Sequence, residues 1–154
     1  MSKESLSIKQ LFDSAFKLYQ NGDFKKSEII LKKNLDSFPD HLPSIFLLGT
    51  LSAQNKEFET AKKLLQQAIK LKPDFIEGHN NLGNVFQELD EYQDAVTCYQ
   101  SAIKLNPKYA EAHYNLGKVY KELGNNREAI SCYENAIKFD HNSIESHNNL
   151  GNIF

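Results

Sequence analysis

The sequence predicts an all-α chain of stacked antiparallel helix pairs, and three observations predict it. Gly49, Gly83, Gly117 and Gly151 stand 34 residues apart, a fixed interval of the length that marks repeat architectures. The same interval joins Ala61, Ala95 and Ala129, joins Ala68, Ala102 and Ala136, and joins Pro39, Pro73 and Pro107. Inside one interval the apolar residues recur at helical rather than strand spacing: Leu82, Val85, Phe86 and Leu89, then Tyr92, Val96, Tyr99 and Ile103. Each repeat is therefore read as two helices.

Set in register, the chain divides into a lead-in at 1–7, repeats at 8–41, 42–75, 76–109 and 110–143, and an incomplete fifth repeat at 144–154. Ser7 followed three residues later by Gln10 gives repeat 1 a capping box, and its N-terminus is read as genuine. Repeat 1 diverges, with Ala15, Ser27 and Asn34 at the small positions, as a terminal repeat lacking one neighbour is expected to do. The turn inside each pair falls at Gly22, Lys56, Asp90 and Gly124. Glycine takes a positive φ readily and aspartate tolerates it better than most residues, so Lys56 is the poor fit.

Second helices end near Pro39, Pro73 and Pro107, because proline disfavours helical geometry in the residue before it and is accepted in the first turn of the next helix. The glycine and alanine ladders let paired helix axes approach to roughly 8–10 Å. Repeat 5 carries Leu150, Ile153 and Phe154 at apolar core positions of a first helix. The chain is accordingly expected to be a fragment of a longer solenoid, its open C-terminal edge offering a surface for self-association.

The order small residue, aromatic, alanine, aromatic, alanine and proline on this period resembles the tetratricopeptide repeat (TPR) family over residues 8–154. Repeats 3 and 4 match closely, repeat 2 has Ser52 where an aromatic is usual, and repeat 1 matches loosely. The resemblance implies an α-solenoid, a right-handed superhelix whose concave groove is lined by the first helix of each repeat and takes an extended peptide or a partner helix. On the matching positions it implies peptide contacts from Asn80, Asn81 and Asn84, from Tyr114, Asn115 and Lys118, from Asn149, and from Phe12, Phe16 and Phe46 at the N-terminal end.

An amide side chain offers both a donor and an acceptor, so Asn81, Asn115 and Asn149, at equivalent positions, suit the backbone of an extended peptide. A polar face that merely suits asparagine is the competing reading. The aromatics, joined by Tyr19, either anchor apolar ligand side chains or pack against their own helices or a second copy of the chain.

One TPR subtype grips chaperone C-terminal carboxylates with a lysine and an asparagine where Phe12 and Phe16 stand here, which disfavours that mode. The Asn-Leu-Gly triplets at 81–83, 115–117 and 149–151 resemble the repeats of O-linked N-acetylglucosamine transferases. That resemblance implies an alternative: a substrate-recruiting region of a larger enzyme whose catalytic domain lies outside this chain.

Lys and Arg number 18 against 20 Asp and Glu, for a net charge of −2 with both signs interspersed, so the basic footprint of a nucleic-acid binder is absent. No stretch reaches the ~20 apolar residues of a membrane span, and residues 1–10 lack the apolar core of a secretory signal. The chain reads as soluble and cytoplasmic, with a protein or peptide as its partner.

Cys98 and Cys132 share one repeat position, as do His79, His113 and His147. Neighbouring repeats lie roughly a helix diameter apart, ~10 Å. That is too far for zinc ligands ~2 Å from one ion and for a disulfide, whose α-carbons lie within about 7 Å. Glu88, Glu91, Glu122 and Glu128 have no partner base, nucleophile or glycine-rich phosphate loop. No catalytic residue, metal or cofactor is expected, and the chain is read as a binding scaffold rather than an enzyme.

Overall fold

A computed structural model describes residues 7–153; residues 1–6 of the lead-in and Phe154, a core position in the sequence reading, lie outside the described residues. Among the described residues there are nine helices and no strand: α1 (Ile8–Gln20), α2 (Phe24–Ser37), α3 (Leu42–Gln54), α4 (Phe58–Leu71), α5 (Ile76–Glu88), α6 (Tyr92–Leu105), α7 (Ala110–Glu122), α8 (Asn126–Phe139) and α9 (Ile144–Gly151). No described helix is long and apolar enough to cross a membrane.

The capping box at the start of α1 is formed: Ser7 N–H donates to Gln10 Oε1 at 2.8 Å and Gln10 N–H to Ser7 Oγ at 3.3 Å. Each helix pair turns through a residue with positive φ, at Gly22 (79°), Lys56 (61°), Asp90 (59°) and Gly124 (75°). At all four the next N–H reaches back to a carbonyl five residues earlier, as in Asp23 to Leu18 (2.9 Å) and Glu91 to Phe86 (2.9 Å). This is the Schellman closure, which satisfies carbonyls the helix end would otherwise orphan. Lys56 adopts it despite its Cβ because the same bond, Glu57 N–H to Ser52 O at 2.8 Å, holds it there.

The chain forms two compact units that meet in sequence at Pro73 and Asp74. In the first, α1 packs on α2, α2 on α3 and α3 on α4, with α1 also touching α3. Its core gathers Ala15, Leu31, Leu47, Leu48 and Leu51, flanked by Phe12, Tyr19, Ile30, Leu35 and Leu64. A buried polar group sits where repeats 2 to 4 have alanine: Asn34 Nδ2 donates to Ser44 Oγ at 2.8 Å, and that oxygen lies 2.7 Å from His41 Nδ1.

In the second unit α5 pairs with α6 and α7 with α8, while α6 packs on α7, α8 on α9 and α5 on α7. Tyr99 and Tyr133 are fully buried, each with its ring packed against the glycine of the paired helix. A Cβ built on Gly83 would stand 2.6 Å from the Tyr99 ring, and one on Gly117 2.7 Å from the Tyr133 ring. At Gly83 and Gly117 the glycine ladder is thus the footprint of a tyrosine ladder.

Candidate peptide-binding face

The first helices of the second unit, α5, α7 and α9, present the carboxamides the sequence singled out, and the structure divides them into two rows. Asn80 is fully buried and Asn115 is 7 % exposed. Asn115 Nδ2 donates to Asn80 Oδ1 at 3.3 Å, Asn80 Nδ2 donates to Glu111 Oε1 at 2.9 Å, and Tyr109 donates from its hydroxyl to Glu111 Oε2 at 3.0 Å. One repeat further on, Asn149 Nδ2 donates to the Tyr114 hydroxyl at 3.4 Å, the same step of 35 residues. These bonds tie each first helix to the next.

Asn80 therefore departs from the expectation: with no exposed surface it is out of a ligand's reach, and its amide is committed to Glu111 and Asn115 inside the stack. The buried polar row costs little because each partner is met. Asn81, Asn84, Tyr114, Lys118 and Asn149 remain half-exposed along the face. Asn84 is oriented from behind, since its Oδ1 accepts from the Tyr99 hydroxyl at 2.7 Å. Lys118 Nζ lies 5.7 Å from the centre of the Tyr114 ring.

Burial makes the groups beneath this face weaker acids, raising their pKa values. The Tyr99 hydroxyl is raised above its ordinary range, and that of Tyr133 is raised to about 12, by desolvation first and by neighbouring groups second. Both are protonated donors at neutral pH. Tyr109 is raised for the same reason, reinforced by Glu111.

The first unit presents a different surface. Phe12, Phe16, Tyr19 and Phe24 form a continuous row of rings with centroids 6.0, 6.4 and 5.6 Å apart, and Phe12 meets His41 edge-on at 5.5 Å. Phe12 packs against the core, whereas Phe16 is 41 % exposed. Phe46 is half-buried, and Gln54 Nε2 donates to the Tyr19 hydroxyl at 3.1 Å. Phe12 and Tyr19 thus pack against their own helices, and Phe16 leaves a face to solvent.

Among the described residues no three His, Cys, Asp or Glu side chains gather to hold a metal ion. His113 donates from Nε2 to the Pro107 carbonyl at 3.0 Å with its ring 5.5 Å from that of Phe139, and His147 donates from Nδ1 to the Ser143 carbonyl at 2.8 Å. Each thus bonds the segment that leads into its own helix, at the end of the preceding repeat. Cys98 and Cys132 are free and buried; burial, then the charges of Asp94 and Glu128, raises their thiols to about 12 and 11. Cys132 lines an open cleft of about 400 Å³ with Ile103, Leu116 and Tyr120, and a thiol so protonated is a poor nucleophile there.

Sequence reasoning missed the inward row, because Asn80 and Asn81 look alike until the helix faces are assigned. It also missed Glu111 as their partner. The available signal was the 35-residue offset between Asn80 and Asn115, one step longer than the repeat.

Comparison with known proteins places the chain among repeat proteins. A family model described as "TPR repeat" matches residues 49–90 and 88–124, and one described as "Tetratricopeptide repeat" matches residues 110–143. No curated protein sequence matches it. Two solved structures titled as MamA crystal structures are each 29 % identical: one superposes with a TM-score of 0.85 over 90 % of this chain and 81 % of its own, the other with 0.87 over 95 % and 80 %. A third, MamA residues 41 to the end from Desulfovibrio magneticus RS-1, is 19 % identical, with a TM-score of 0.87 over 95 % of this chain and 82 % of its own, and shows likeness of fold alone.

Proposed function

Since the chain belongs to the tetratricopeptide repeat family and is an all-α solenoid of that protein-interaction class, we propose that it binds an extended peptide segment of another protein along the face of α5, α7 and α9. The observation that carries this reading is the division of labour among the carboxamides. Asn80 and Asn115 face inward and hold the helices in step, so that Asn81, Asn84 and Asn149 stand half-exposed on a braced surface.

Bracing matters energetically, because a surface already ordered loses less side-chain entropy on binding. Amides so placed meet both the N–H and the carbonyl of a passing backbone, which favours an extended ligand over a helix whose backbone is internally bonded. Tyr114 adds apolar area and Lys118 a charge. In the first unit, Phe16 with Phe12 and Phe46 offers an apolar anchor of its own.

The test is a selection of displayed 12-residue peptides on the purified chain, with selected peptides measured against a variant carrying Asn81→Ala and Asn149→Ala. The two substitutions are expected to weaken binding about tenfold, the scale of two modest hydrogen bonds, while the circular dichroism spectrum stays that of the parent. Peptides that bind the folded variant as tightly as the parent would sink the assignment of this face.

A further inference from the structure

A cleft of about 400 Å³ opens between α6, α7 and α8, and none of the residues assigned above to peptide contact lines it. Its floor is buried: His113 and Cys132 are 8 % exposed and Leu116 is 5 % exposed. Ile103 and Tyr120 form half-buried walls, and Gln100 Nε2 donates to the Tyr120 hydroxyl at 3.2 Å, tying α6 to α7. Lys104, Glu128 and Ser131 stand exposed at the rim. A largely apolar floor inside a polar rim is the build of an energetic centre in a protein interface.

One polar group on that floor is only half met. His113 Nε2 lies 3.0 Å from the Pro107 carbonyl; a carbonyl only accepts, so Nε2 carries the proton and Nδ1 of the neutral ring is left as an acceptor without a partner. The Cys132 thiol is free and is kept protonated by burial and by the charge of Glu128, so it brings no charge into the cleft. Lys104 and Glu128 supply one charge of each sign, and among the described residues neither is ion-paired. The cleft is therefore neutral, mostly apolar and short of one hydrogen-bond donor.

We propose that this cleft receives an aromatic side chain with a ring donor, tryptophan or tyrosine, from a partner protein: the ring packs on Leu116 and Ile103, and its N–H or O–H donates to His113 Nδ1. The site is separate from the face of α5, α7 and α9 and does not depend on that reading. An aliphatic side chain would strip Nδ1 of water and leave it unpaired, at the cost of desolvating a polar group. A ring donor reproduces the bond that water makes there. The cleft is open to one side. A free ring bound in it leaves that side wet, whereas a side chain is covered by the chain that carries it.

The experiment titrates the isotope-labelled whole chain with acetyl-tryptophan amide, with its N1-methylated indole form, which lacks the donor, and with free indole, following Ile103, His113 and Leu116 by NMR. Acetyl-tryptophan amide is expected to bind about fivefold more tightly than the methylated form, the scale of one modest hydrogen bond, with intermolecular nuclear Overhauser contacts to Leu116 and Ile103. His113→Phe keeps a ring beside Phe139, 5.5 Å away in the parent, but removes the acceptor. It is expected to erase the preference without weakening the methylated probe. Ser131→Trp, at an exposed rim position, fills the cleft from its own chain and is expected to abolish binding of both.

Equal binding of the two indole forms to the parent, or undiminished binding to the folded Ser131→Trp variant, would overturn the proposal. Free indole that shifts Leu116 and His113 while acetyl-tryptophan amide does not would make the cleft a small-molecule site and overturn it too. Shifts confined to α5, α7 and α9, or no shift with any probe, would do the same.

Discussion

In the second unit the seam between paired helices is a tyrosine ring on a glycine, Tyr99 on Gly83 and Tyr133 on Gly117, whereas in the first unit the same positions hold Leu31 with Ala15 and Leu65 with Gly49. A tyrosine ring packed this closely needs a bare Cα beneath it; leucine approaches less closely, leaving the Ala15 methyl its place and a Cβ on Gly49 at 3.2 Å. The seam between one pair and the next differs too. The first unit fills it with Asn34, Ser44 and His41, where the second has Ala102 with Ala112 and Ala136 with Ser146. One backbone repeat therefore accepts two interiors, provided that side-chain size and partner change together.

The largest expected effect follows from the ring on the glycine. Gly83→Ala and Gly117→Ala drive a Cβ to within 3 Å of a tyrosine ring, and overpacking of that kind costs about 1–3 kcal/mol, more than the helix propensity gained. At Gly49 the nearest contact is 3.2 Å, to Leu65, and at Gly151 nothing lies within 4 Å. The first change is expected to be near neutral and the second slightly stabilising, all four read by denaturant unfolding. Adding Tyr99→Leu to Gly83→Ala converts the seam to the first unit's solution and is expected to recover much of the loss.

Next come the polar ties. Ser44→Ala removes the 2.8 Å acceptor of the buried Asn34 amide, an orphaning that costs about 1–3 kcal/mol. Asn34→Ala on top of it should restore stability, since alanine fills that position in repeats 2 to 4 and Asn34 Oδ1 has no partner to lose. In the second unit Asn80→Ala is expected to cost a similar amount, because it strands Asn115 and frees Glu111. Hydrogen exchange read separately over the two units distinguishes these losses.

The two interiors also answer pH in opposite directions. Cys98, Tyr99, Cys132 and Tyr133 have folded pKa values raised by burial above their ordinary values of 9 and 10. Their contribution is complete below pH 9 and is lost as the pH rises, because the unfolded chain gives up those protons first. His41 is lowered by burial from 6.5, so its contribution is present above that value and is lost as the pH falls. The second unit is expected to loosen first in alkali and the first unit first in acid, as amide exchange across the pH range will show. Lys32, raised by its bond to Glu28, is exposed, and that pair is discounted for solvent screening.

The smallest effect is at the turns. Lys56→Gly relieves a positive φ in the first unit and is expected to stabilise by up to about 1 kcal/mol. Asp90→Gly gains less, since aspartate tolerates that conformation and Asp90 Oδ1 accepts from the Tyr92 hydroxyl at 2.8 Å. Thermal melts compare the two.

The helix pairs, the capping box and the four turn residues were legible in the sequence because each follows from local rules: apolar spacing, a side chain three residues from its cap, a residue that accepts positive φ. Family resemblance was legible for the same reason, repeated four times. The site was legible only as a set of positions. That Asn80 turns inward while Asn81 beside it stays half-exposed depends on about 100° of helix rotation, and that Glu111 meets Asn80 depends on how neighbouring first helices pack.

The most direct test of the binding account is to map a selected peptide on the isotope-labelled whole chain by intermolecular nuclear Overhauser contacts. The account predicts contacts to Asn81, Tyr114, Lys118 and Asn149, with Asn80 and Asn115 silent. A peptide whose contacts fall on α6 and α8 and leave that face untouched would contradict it.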